Sequence, residues 1–479
     1  MQLVKQFKQY PTAARIFDQL HTQKNAAFLD SSLPGALGRY SIIGVHPYLT
    51  LKKEASDKTE CFTINGIVSN ESFESYVSRY LKEHREENET GLPISSGAIG
   101  YFSYDYGRKK QGVSTRHPET VCIPDSILVF YDGFFVEDHE THTMYVVSNS
   151  HDWDCERGME EMLQILKSAE QKSEDTDGSY ICTSPETLGQ SSALEETSVH
   201  KPGSFTANFM KEDYKNAVQR MIDYIIEGDI YIANMTQQLT IQSTIQPYDM
   251  FCRLRKCNPA PFGGYFNYDG FQIICASPER FLQMQNGIIQ TRPIKGTRKR
   301  GKTPQEDEAL RLELEQSDKD KSELLMIVDL ERNDLNRVCI PGSVRVTELF
   351  KVETYATVFH LISNIIGQLR PELTVMELLE AAFPGGSITG APKLRAMEII
   401  DELEHGQRNL YTGSIGYISL DGGCDFNIVI RTALHQNDVY YLGVGGGITC
   451  ESELEFEYEE TLLKAKALLN ACDIHTHEE

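Results

Sequence analysis

The sequence has no apolar run that approaches the roughly 20 residues of a membrane-spanning helix. The N-terminal segment from Met1 to Pro11 contains lysines with no apolar run after them, which argues against a signal peptide. The 11 cysteines form no close Cys-x-x-Cys pair, and the nearest two, Cys252 and Cys257, have no companions at metal-binding spacing. We therefore expect a cytoplasmic protein with reduced thiols and no membrane partner.

Positive charge is also scarce. The 46 lysine and arginine residues are outnumbered by 70 aspartate and glutamate residues, which gives a formal net charge of −24. Because phosphate backbones are bound by basic surfaces, we exclude nucleic acid as a partner. The chain is 40% hydrophobic and 24% charged, as is typical of soluble globular proteins.

A chain of 479 residues is too long for one ordinary core, so the sequence predicts more than one region. Strand-like and helix-like segments fill residues 1–168, and a second structured region covers residues 205–475. Between them, residues 169–204 are rich in Ser, Glu, Thr and Gly and are interpreted as a polar linker or insertion. Strands and helices do not alternate regularly, which favours an α+β fold.

One lysine stands in a constrained segment, Arg292-Pro293-Ile294-Lys295-Gly296-Thr297. The proline and the glycine predict a short turn that holds the lysine side chain in place. A lysine amine held in this way can act as a nucleophile. The alternative is a solvated surface lysine.

A glycine-rich segment from Phe383 to Lys393 predicts an anion-binding helix entry. Ser387 or Thr389 could cap the helix, Pro392 suits the first helical position, and the free backbone amides would face negative charge. A plain capped helix without a ligand is the alternative.

Two acidic pairs have helical spacing. Asp320 and Glu323 lie near a predicted helix start, and Glu457 and Glu460 lie inside the C-terminal helix. Residues three apart share a helix face, and like charges there repel unless a cation lies between them. Mg²⁺ is a hard ion that takes carboxylate ligands. The alternative for each pair is a solvated helix face.

Three single ionisable groups complete the candidate site. Arg431 ends an apolar run, predicted as a strand, where either a substrate carboxylate or a structural ion pair would neutralise its charge. Glu279 and His360 stand beside constrained or apolar neighbours and suit proton transfer, although His360 also fits a hydrogen-bonded core position.

Further motifs lie at Ser277–Phe281, Asp329–Asp334, Arg395–Glu398 and Gly445–Ile448. Together with Arg292–Thr297 and Gly386–Lys393, they resemble those of the chorismate-utilising enzymes, which include anthranilate synthase component I, aminodeoxychorismate synthase component I, and the isochorismate and salicylate synthases. The resemblance is close from about residue 205 to residue 469 and looser over the N-terminal third. It implies an anthranilate synthase component I-like fold, in which two large antiparallel β-sheets form a sandwich surrounded by helices. It also implies a Mg²⁺-dependent site for chorismate.

The resemblance assigns a role to each candidate residue. The implied catalytic residues are Lys295, Glu279 and His360. The implied metal ligands are Glu323, Glu457 and Glu460. The implied substrate-binding residues are Ser387, Thr389, Tyr411, Arg431, Gly446, Gly447 and Lys464.

A few positions indicate which reaction is implied. Aminodeoxychorismate synthases carry the lysine of the Pro-Ile-Lys-Gly-Thr segment, where anthranilate synthases usually carry alanine. They also tend to share Ser387 and Thr389. Water-using relatives place a lysine base where Ile232 stands, and amine-using relatives more often have glutamine there. Ile232 therefore argues against isochorismate or salicylate synthesis, while departing from the amine-using pattern as well.

The resemblance is thus closest to aminodeoxychorismate synthase component I. It implies that chorismate and ammonia are converted to 4-amino-4-deoxychorismate, a precursor of 4-aminobenzoate and folate, through a covalent intermediate on Lys295. The alternatives are an anthranilate synthase component I, which makes anthranilate and pyruvate, and a non-catalytic binding protein with the same fold.

The ammonia source is expected on another chain. A glutaminase needs a cysteine nucleophile on a tight turn, and the sequence has no Gly-x-Cys-x-Gly turn. At 479 residues we also expect no room for an added amidotransferase domain. The expected partner is a separate glutamine amidotransferase subunit in a heterodimer.

Overall fold

A computed structural model describes residues 1–35, 37–55, 61–174, 204–355 and 358–474. These residues form 22 β-strands and 11 α-helices. The strands are β1 (Gln2–Phe7), β2 (Ala26–Asp30), β3 (Tyr40–Lys53), β4 (Phe62–Ile64), β5 (Ile67–Ser69), β6 (Gly97–Phe102), β7 (Ser126–Asp138), β8 (Thr143–Asn149), β9 (Ser204–Ala207), β10 (Ile232–Gln242), β11 (Phe262–Tyr268), β12 (Phe271–Ser277), β13 (Arg280–Gln285), β14 (Ile288–Thr291), β15 (Ile294–Lys299), β16 (Arg345–Thr354), β17 (Val358–Gln368), β18 (Gly390–Ala391), β19 (Ser414–Ser419), β20 (Cys424–Asn427), β21 (Thr432–Gln436) and β22 (Val439–Ile448). The helices are α1 (Ala13–Phe17), α2 (Phe73–Glu83), α3 (Tyr104–Lys110), α4 (Cys155–Glu174), α5 (Lys211–Glu227), α6 (Pro247–Cys257), α7 (Pro304–Gln316), α8 (Asp318–Asn336), α9 (Val375–Ala382), α10 (Lys393–Leu403) and α11 (Leu454–Ala471).

The strands form two antiparallel runs that diverge at β7. One run follows the order β1-β8-β7-β3-β2-β11-β12-β21-β22-β10. The other follows β7-β6-β19-β20-β13-β14-β17, with β15 and β16 also paired to β17. The second half of β7 pairs with β8 and the first half with β6, so the two runs are joined in one network.

Alternation along β7 shows how the two runs pack face to face. Ile127, Val129 and Tyr131 enter a central core that also contains side chains from β6, β11, β12 and β19. Leu128 and Phe130 point to the opposite face, into an outer core with α2, α8 and α9. Two further outer cores hold α1, α4, α6 and α11, and α5 and α10. Because side chains alternate across a strand, β7 is buried at every position. The predicted α+β sandwich with surrounding helices is confirmed.

The spacing of apolar residues in the second region predicts helices over residues 213–227, 322–335 and 453–471, and all three helices are present. The helix predicted to end before Gly228 is α5, and Gly228 adopts the left-handed conformation (φ 87°) that favours glycine at this position. The helix predicted over residues 322–335 is α8, which begins earlier because the Ser317 hydroxyl accepts a hydrogen bond from the Asp320 amide. The C-terminal helix is α11.

Strands from both predicted regions share the same sheets, since β2 pairs with β11 and β6 pairs with β19. Of the predicted linker, residues 169–174 belong to α4, residue 204 begins β9, and the remainder lies outside the described residues. The division at residues 168 and 205 stays a prediction. Among the described residues, no helix is long and apolar enough to cross a membrane, and the ten cysteines are all free thiols.

Candidate active site

Lys295 lies in a bulge of β15 rather than in a turn. The pairing of β15 with β17 shifts between Ile294 and Thr297, and Gly296 has a φ of 76°. The predicted turn is wrong because pairing with β17 supplies backbone hydrogen bonds on both sides of the bulge. The bulge directs the lysine toward β22, where a Cβ built on Gly447 would lie 3.3 Å from Lys295 Nζ.

The surroundings of this amine are partly apolar. Ile232 of β10 is buried, and its Cδ1 would lie 3.6 Å from the same Cβ position on Gly447. Within the described residues, the Lys295 amine has no hydrogen-bond or ion-pair partner. It is therefore available to a bound molecule.

Glu279 brings a carboxyl group to the same site. It follows β12, and one of its oxygens (Oε1) accepts a hydrogen bond of 3.0 Å from the Ser387 hydroxyl. Burial raises the pKa of Glu279, while Lys295, the Ser387 hydrogen bond and Lys464 oppose that shift. A carboxyl group with a raised pKa is suited to donate a proton.

The C-terminal helix contributes an acidic wall. A Cβ built on Gly446 would lie 2.7 Å from Glu460 Oε2 and 3.2 Å from Glu457 Oε2, so both carboxylates line this stretch of β22. Lys464 lies beside these carboxylates. Its Nζ is 3.3 Å from Glu460 Oε1 and donates a hydrogen bond of 2.7 Å to the Gly445 carbonyl. Burial raises the pKa of Glu457 and lowers that of Lys464.

Of the acidic pair on α8, only Glu323 remains available to the site. Asp320 forms an ion pair of 3.1 Å with Arg298, so the two carboxylates do not act together. Burial raises the pKa of Glu323, and the positive charges of Lys295 and Lys319 lower it. The charges of Glu323 and Lys295 thus act on each other.

The candidate ligands of the expected Mg²⁺ are the carboxylates of Glu323, Glu457 and Glu460. Within the described residues, no three His, Cys, Asp or Glu side chains lie close enough together to form a metal cluster. Glu323, Glu457 and Glu460 nevertheless offer carboxylate oxygens, the ligands that Mg²⁺ prefers. Glu460 raises the pKa of Glu457, a repulsion that a cation would relieve. The residues fit Mg²⁺ chemically, and Mg²⁺ stays a prediction.

Arg431 and Tyr411 form another edge of the site. Arg431 lies between β20 and β21, not within a strand as predicted, because its backbone is left-handed (φ 52°). Its carbonyl accepts the Ala276 amide at 3.1 Å. Burial lowers the pKa of Arg431, and the charges of Tyr411 and then Glu460 raise it. Arg431 is therefore close enough to both side chains to interact with them electrostatically.

The glycine-rich segment forms a 3₁₀ turn before α10. Ser387 lies in this turn, but Thr389 is fully buried and its hydroxyl donates to the Gly385 carbonyl at 2.9 Å. Neither residue caps the helix, and Pro392 occupies the N-cap rather than the first helical position. Lys393 is buried in an ion pair of 2.6 Å with Asp334, so its charge is already neutralised by the protein.

His360 lies on β17 beside β15. Its Nδ1 is 2.9 Å from the Thr297 hydroxyl, and burial lowers its pKa, opposed by Glu353. No described contact joins its ring to Lys295 or Glu279. The catalytic assignment of His360 stays a prediction.

Two residues near the site were missed. Glu331 on α8 has a buried carboxyl group, and its sequence signal is a charge at a position that continues the apolar stripe of Leu324, Val328 and Leu335. Arg408 is a buried arginine whose guanidinium donates to the backbone carbonyls of Ile388 and Asn234. No local sequence signal indicates Arg408.

A cavity of about 420 Å³ lies elsewhere, between β2, β3, β11, β13 and β19. It includes Leu29, Asp30 and Ser31 and none of the predicted site residues. Asp30 is engaged there by Arg255 at 2.8 Å.

Comparisons with known proteins agree with this geometry. A family model described as chorismate binding enzyme matches residues 25–470. The chain is 34% identical to aminodeoxychorismate synthase component 1 of Bacillus subtilis, covering 96% of this chain and 95% of that protein. It is 35% identical to anthranilate synthase component 1 of Pseudomonas aeruginosa, covering 96% and 93%. The crystal structure of anthranilate synthase component I from Streptococcus pneumoniae superposes with a TM-score of 0.76 at 30% identity, covering 91% of this chain and 93% of that one.

Proposed function

The chain belongs to the family of chorismate binding enzymes, and we propose that it acts as an aminodeoxychorismate synthase component I. In this proposal, chorismate and ammonia become 4-amino-4-deoxychorismate through a covalent intermediate on Lys295. The observation that carries the proposal is the Lys295 amine beside Gly447, free of protein partners among the described residues and in the same site as the Glu279 carboxyl. An alanine in its place would leave no nucleophile.

The first displacement uses two side chains of this chain. The neutral Lys295 amine bonds to C2 of the ring, the double bonds shift, and the 4-hydroxyl departs as water with a proton from Glu279. Ser387, hydrogen-bonded to Glu279, holds the carboxyl group in place. Arg431 and Tyr411 suit the carboxylate of the enolpyruvyl group, since a guanidinium can bind a carboxylate with two hydrogen bonds.

The second displacement reverses the first. Ammonia bonds to C4, the double bonds shift back, and the bond between C2 and Lys295 Nζ breaks, which releases the neutral amine. The nitrogen now bound to C4 gives its extra proton to the ionised Glu279, so both side chains return to their starting states. Two displacements with a double-bond shift put nitrogen para to the ring carboxylate, and the enolpyruvyl group is retained. Glu323, Glu457 and Glu460 would hold Mg²⁺, which supplies positive charge opposite the ring carboxylate when bound. We also propose that a separate glutamine amidotransferase subunit supplies the ammonia.

Anthranilate synthase is the second candidate, because relatives of both kinds match the chain at about the same identity. In that reaction ammonia bonds directly to C2 and pyruvate is lost, with no use for Lys295. Purified protein incubated with chorismate, Mg²⁺ and an ammonium salt separates the two. We expect a 4-aminobenzoate signal once a lyase is added to the mixture. Anthranilate fluorescence with pyruvate release would support the second candidate, and no turnover would indicate a binding protein.

A further inference from the structure

Glu331 is an ionisable residue that the proposed reaction does not use. It is partly exposed as a residue, but its carboxyl group is buried, and it follows Leu324 and Val328 on the inward face of α8. A buried carboxylate without a cationic partner is costly, so burial favours the protonated form of Glu331.

The hydrogen bonds of the Thr291 hydroxyl indicate whether Glu331 carries a proton. The Thr291 hydroxyl oxygen lies 2.8 Å from the Phe281 carbonyl oxygen and 2.9 Å from Glu331 Oε2. A hydroxyl carries one proton, and a carbonyl can only accept. Both contacts are therefore hydrogen bonds only if Thr291 donates to Phe281 and Glu331 donates to Thr291. Glu331 must then carry a proton.

The surrounding charges agree with this count. Burial raises the pKa of Glu331 to about 8, and Glu279 and Asp334 act in the same direction. Opposing them are the Thr291 hydroxyl, which can turn toward an ionised Glu331, and Lys393 of α10, which is bound to Asp334. These are the groups of α8, α10, β14 and the segment after β12 that act on the carboxyl group.

The position of Glu331 links it to the proposed proton donor. Its acceptor Thr291 is bonded to Phe281, two residues after Glu279. Its neighbour Leu330 packs against Gly386, where an added Cβ would lie 2.8 Å from Leu330 Cδ2. Gly386 precedes Ser387, the residue that donates to Glu279. Both sides of the Glu279 position thus depend on the segment of α8 that carries Glu331.

We propose that Glu331 is a positioning residue that keeps its proton in the active protein, and that its ionisation sets the alkaline limit of activity. A proton on Glu331 completes the hydrogen-bond chain to Thr291 and Phe281 and keeps a second negative charge away from Glu279. Ionisation reverses the Thr291 hydroxyl and adds repulsion to a dianionic substrate. The link to activity rests on the proposed function, because it takes Glu279 as the proton donor.

Infrared spectroscopy of the protein without substrate tests whether Glu331 carries a proton. Because Glu279 is also proposed to carry a proton, the readout is the difference between the wild-type and Glu331→Gln spectra. We expect a component of the protonated-carboxyl band at pH 7 that is missing in Glu331→Gln and is lost from the wild type as pH rises through about 8. Asp329→Asn is the matched control, because Asp329 is an exposed carboxylate on the same helix and its removal should leave the band unchanged. An unaltered band in Glu331→Gln overturns the proposal. If that variant does not fold, a wild-type titration without band loss between pH 7 and pH 9 overturns it.

The pH profile of kcat/KM tests whether ionisation of Glu331 sets the alkaline limit of activity. Because glutamine can also donate to Thr291 without ionising, Glu331→Gln should keep activity at pH 7 and shift the alkaline limb upward, whichever amine product forms. An alkaline limb identical to that of the wild type, or a loss at pH 7 of more than about tenfold, overturns this part of the proposal. A change of product identity in the wild type, with the band present, contradicts the proposed function and not the protonation of Glu331.

Discussion

At the residue scale, the proposed reaction depends on the Lys295 amine. Its neighbours are the backbone of Gly447, the side chain of Ile232 and the charges of Glu279 and Glu323. A nucleophile held against the ring can contribute roughly 7–11 kcal/mol through proximity at best.

Lys295→Ala should therefore abolish para-amination, with a loss of at least about a thousandfold in kcat. The lyase-coupled formation of 4-aminobenzoate measures it. Lys299→Ala is the control, because Lys299 is an exposed lysine on the same strand and lies away from Gly447. Wild-type output from Lys295→Ala would show that the covalent route is wrong.

Glu331 gives a prediction about stability as well as activity. Its pKa rises from 4.5 to about 8 on folding, so the unfolded chain releases its proton at lower pH than the native protein. Native stability therefore falls as pH rises from 4.5 to 8, by about 1.4 kcal/mol for each pKa unit. Glu331→Gln removes this loss, so its free energy of unfolding in urea should exceed that of the wild type by several kcal/mol more at pH 9 than at pH 5. A difference that is the same at both pH values would contradict the raised pKa.

Candidate site residues could be predicted from the sequence where a charged residue stands in a constrained segment or shares a helix face with a like charge. Lys295 between proline and glycine, and Glu457 and Glu460 on one helix face, were identified because chemistry and spacing coincide. Asp320 was paired with Glu323 by spacing alone, and its partner Arg298 lies on a different element. Such a pairing cannot be read from one segment.

At the scale of elements, the site is built where strands approach closely. Gly447 of β22 is needed because the space above it is filled by Lys295 Nζ, 3.3 Å from an added Cβ. The lysine is flexible at this end, so an alanine there would move the amine rather than disrupt the fold.

We expect Gly447→Ala to lower kcat by up to about a hundredfold, since misplacement by about 1 Å can have that effect. The midpoint of thermal unfolding should change little. Gly35→Ala is the control, because no atom lies within 4 Å of its added Cβ. Unchanged kcat in Gly447→Ala would indicate that the amine does not work in this position.

The presence of helices α5, α8 and α11, and the end of α5, could be predicted, and irregular backbone could not. Gly228 and the apolar spacing of α5, α8 and α11 are local signals, which the structure follows. The bulge at Lys295 and the left-handed Arg431 depend on strand partners distant in sequence. A turn and a continuous strand were the local interpretations, and both were wrong.

At the scale of the whole molecule, one buried arginine connects segments that carry the site. All five N–H groups of Arg408 are used: two bind Glu404, and the others bind the Ile388 carbonyl, the Asn234 carbonyl and the Thr412 hydroxyl. These contacts join β10, the turn that contains Ser387 and the loop that contains Tyr411.

Lysine at this position has three donors and cannot satisfy all of these acceptors. Arg408→Lys should lower the free energy of unfolding in urea by about 1–3 kcal/mol for each acceptor left unpaired. The control is Arg395→Lys, a surface residue paired with Asp229 and Glu398, which should change stability by less than about 1 kcal/mol. Equal effects of the two substitutions would contradict the role of Arg408.

The fold class could be predicted because strand and helix patterns are local, and their irregular order indicates α+β. The joining of the two runs through β7, and the pairing of β2 with β11 across about half the chain, are non-local. No periodicity within a segment specifies its partner strand. The family motifs supplied what composition and spacing could not.

Mass spectrometry of the protein incubated with chorismate and Mg²⁺, without ammonia, detects the covalent intermediate on Lys295 itself. After acid quenching and proteolysis, we expect the peptide that contains Lys295 to gain the mass of chorismate less one water, and Lys295→Ala to gain nothing. Unmodified Lys295 in protein that forms 4-amino-4-deoxychorismate once ammonia is added would contradict the account.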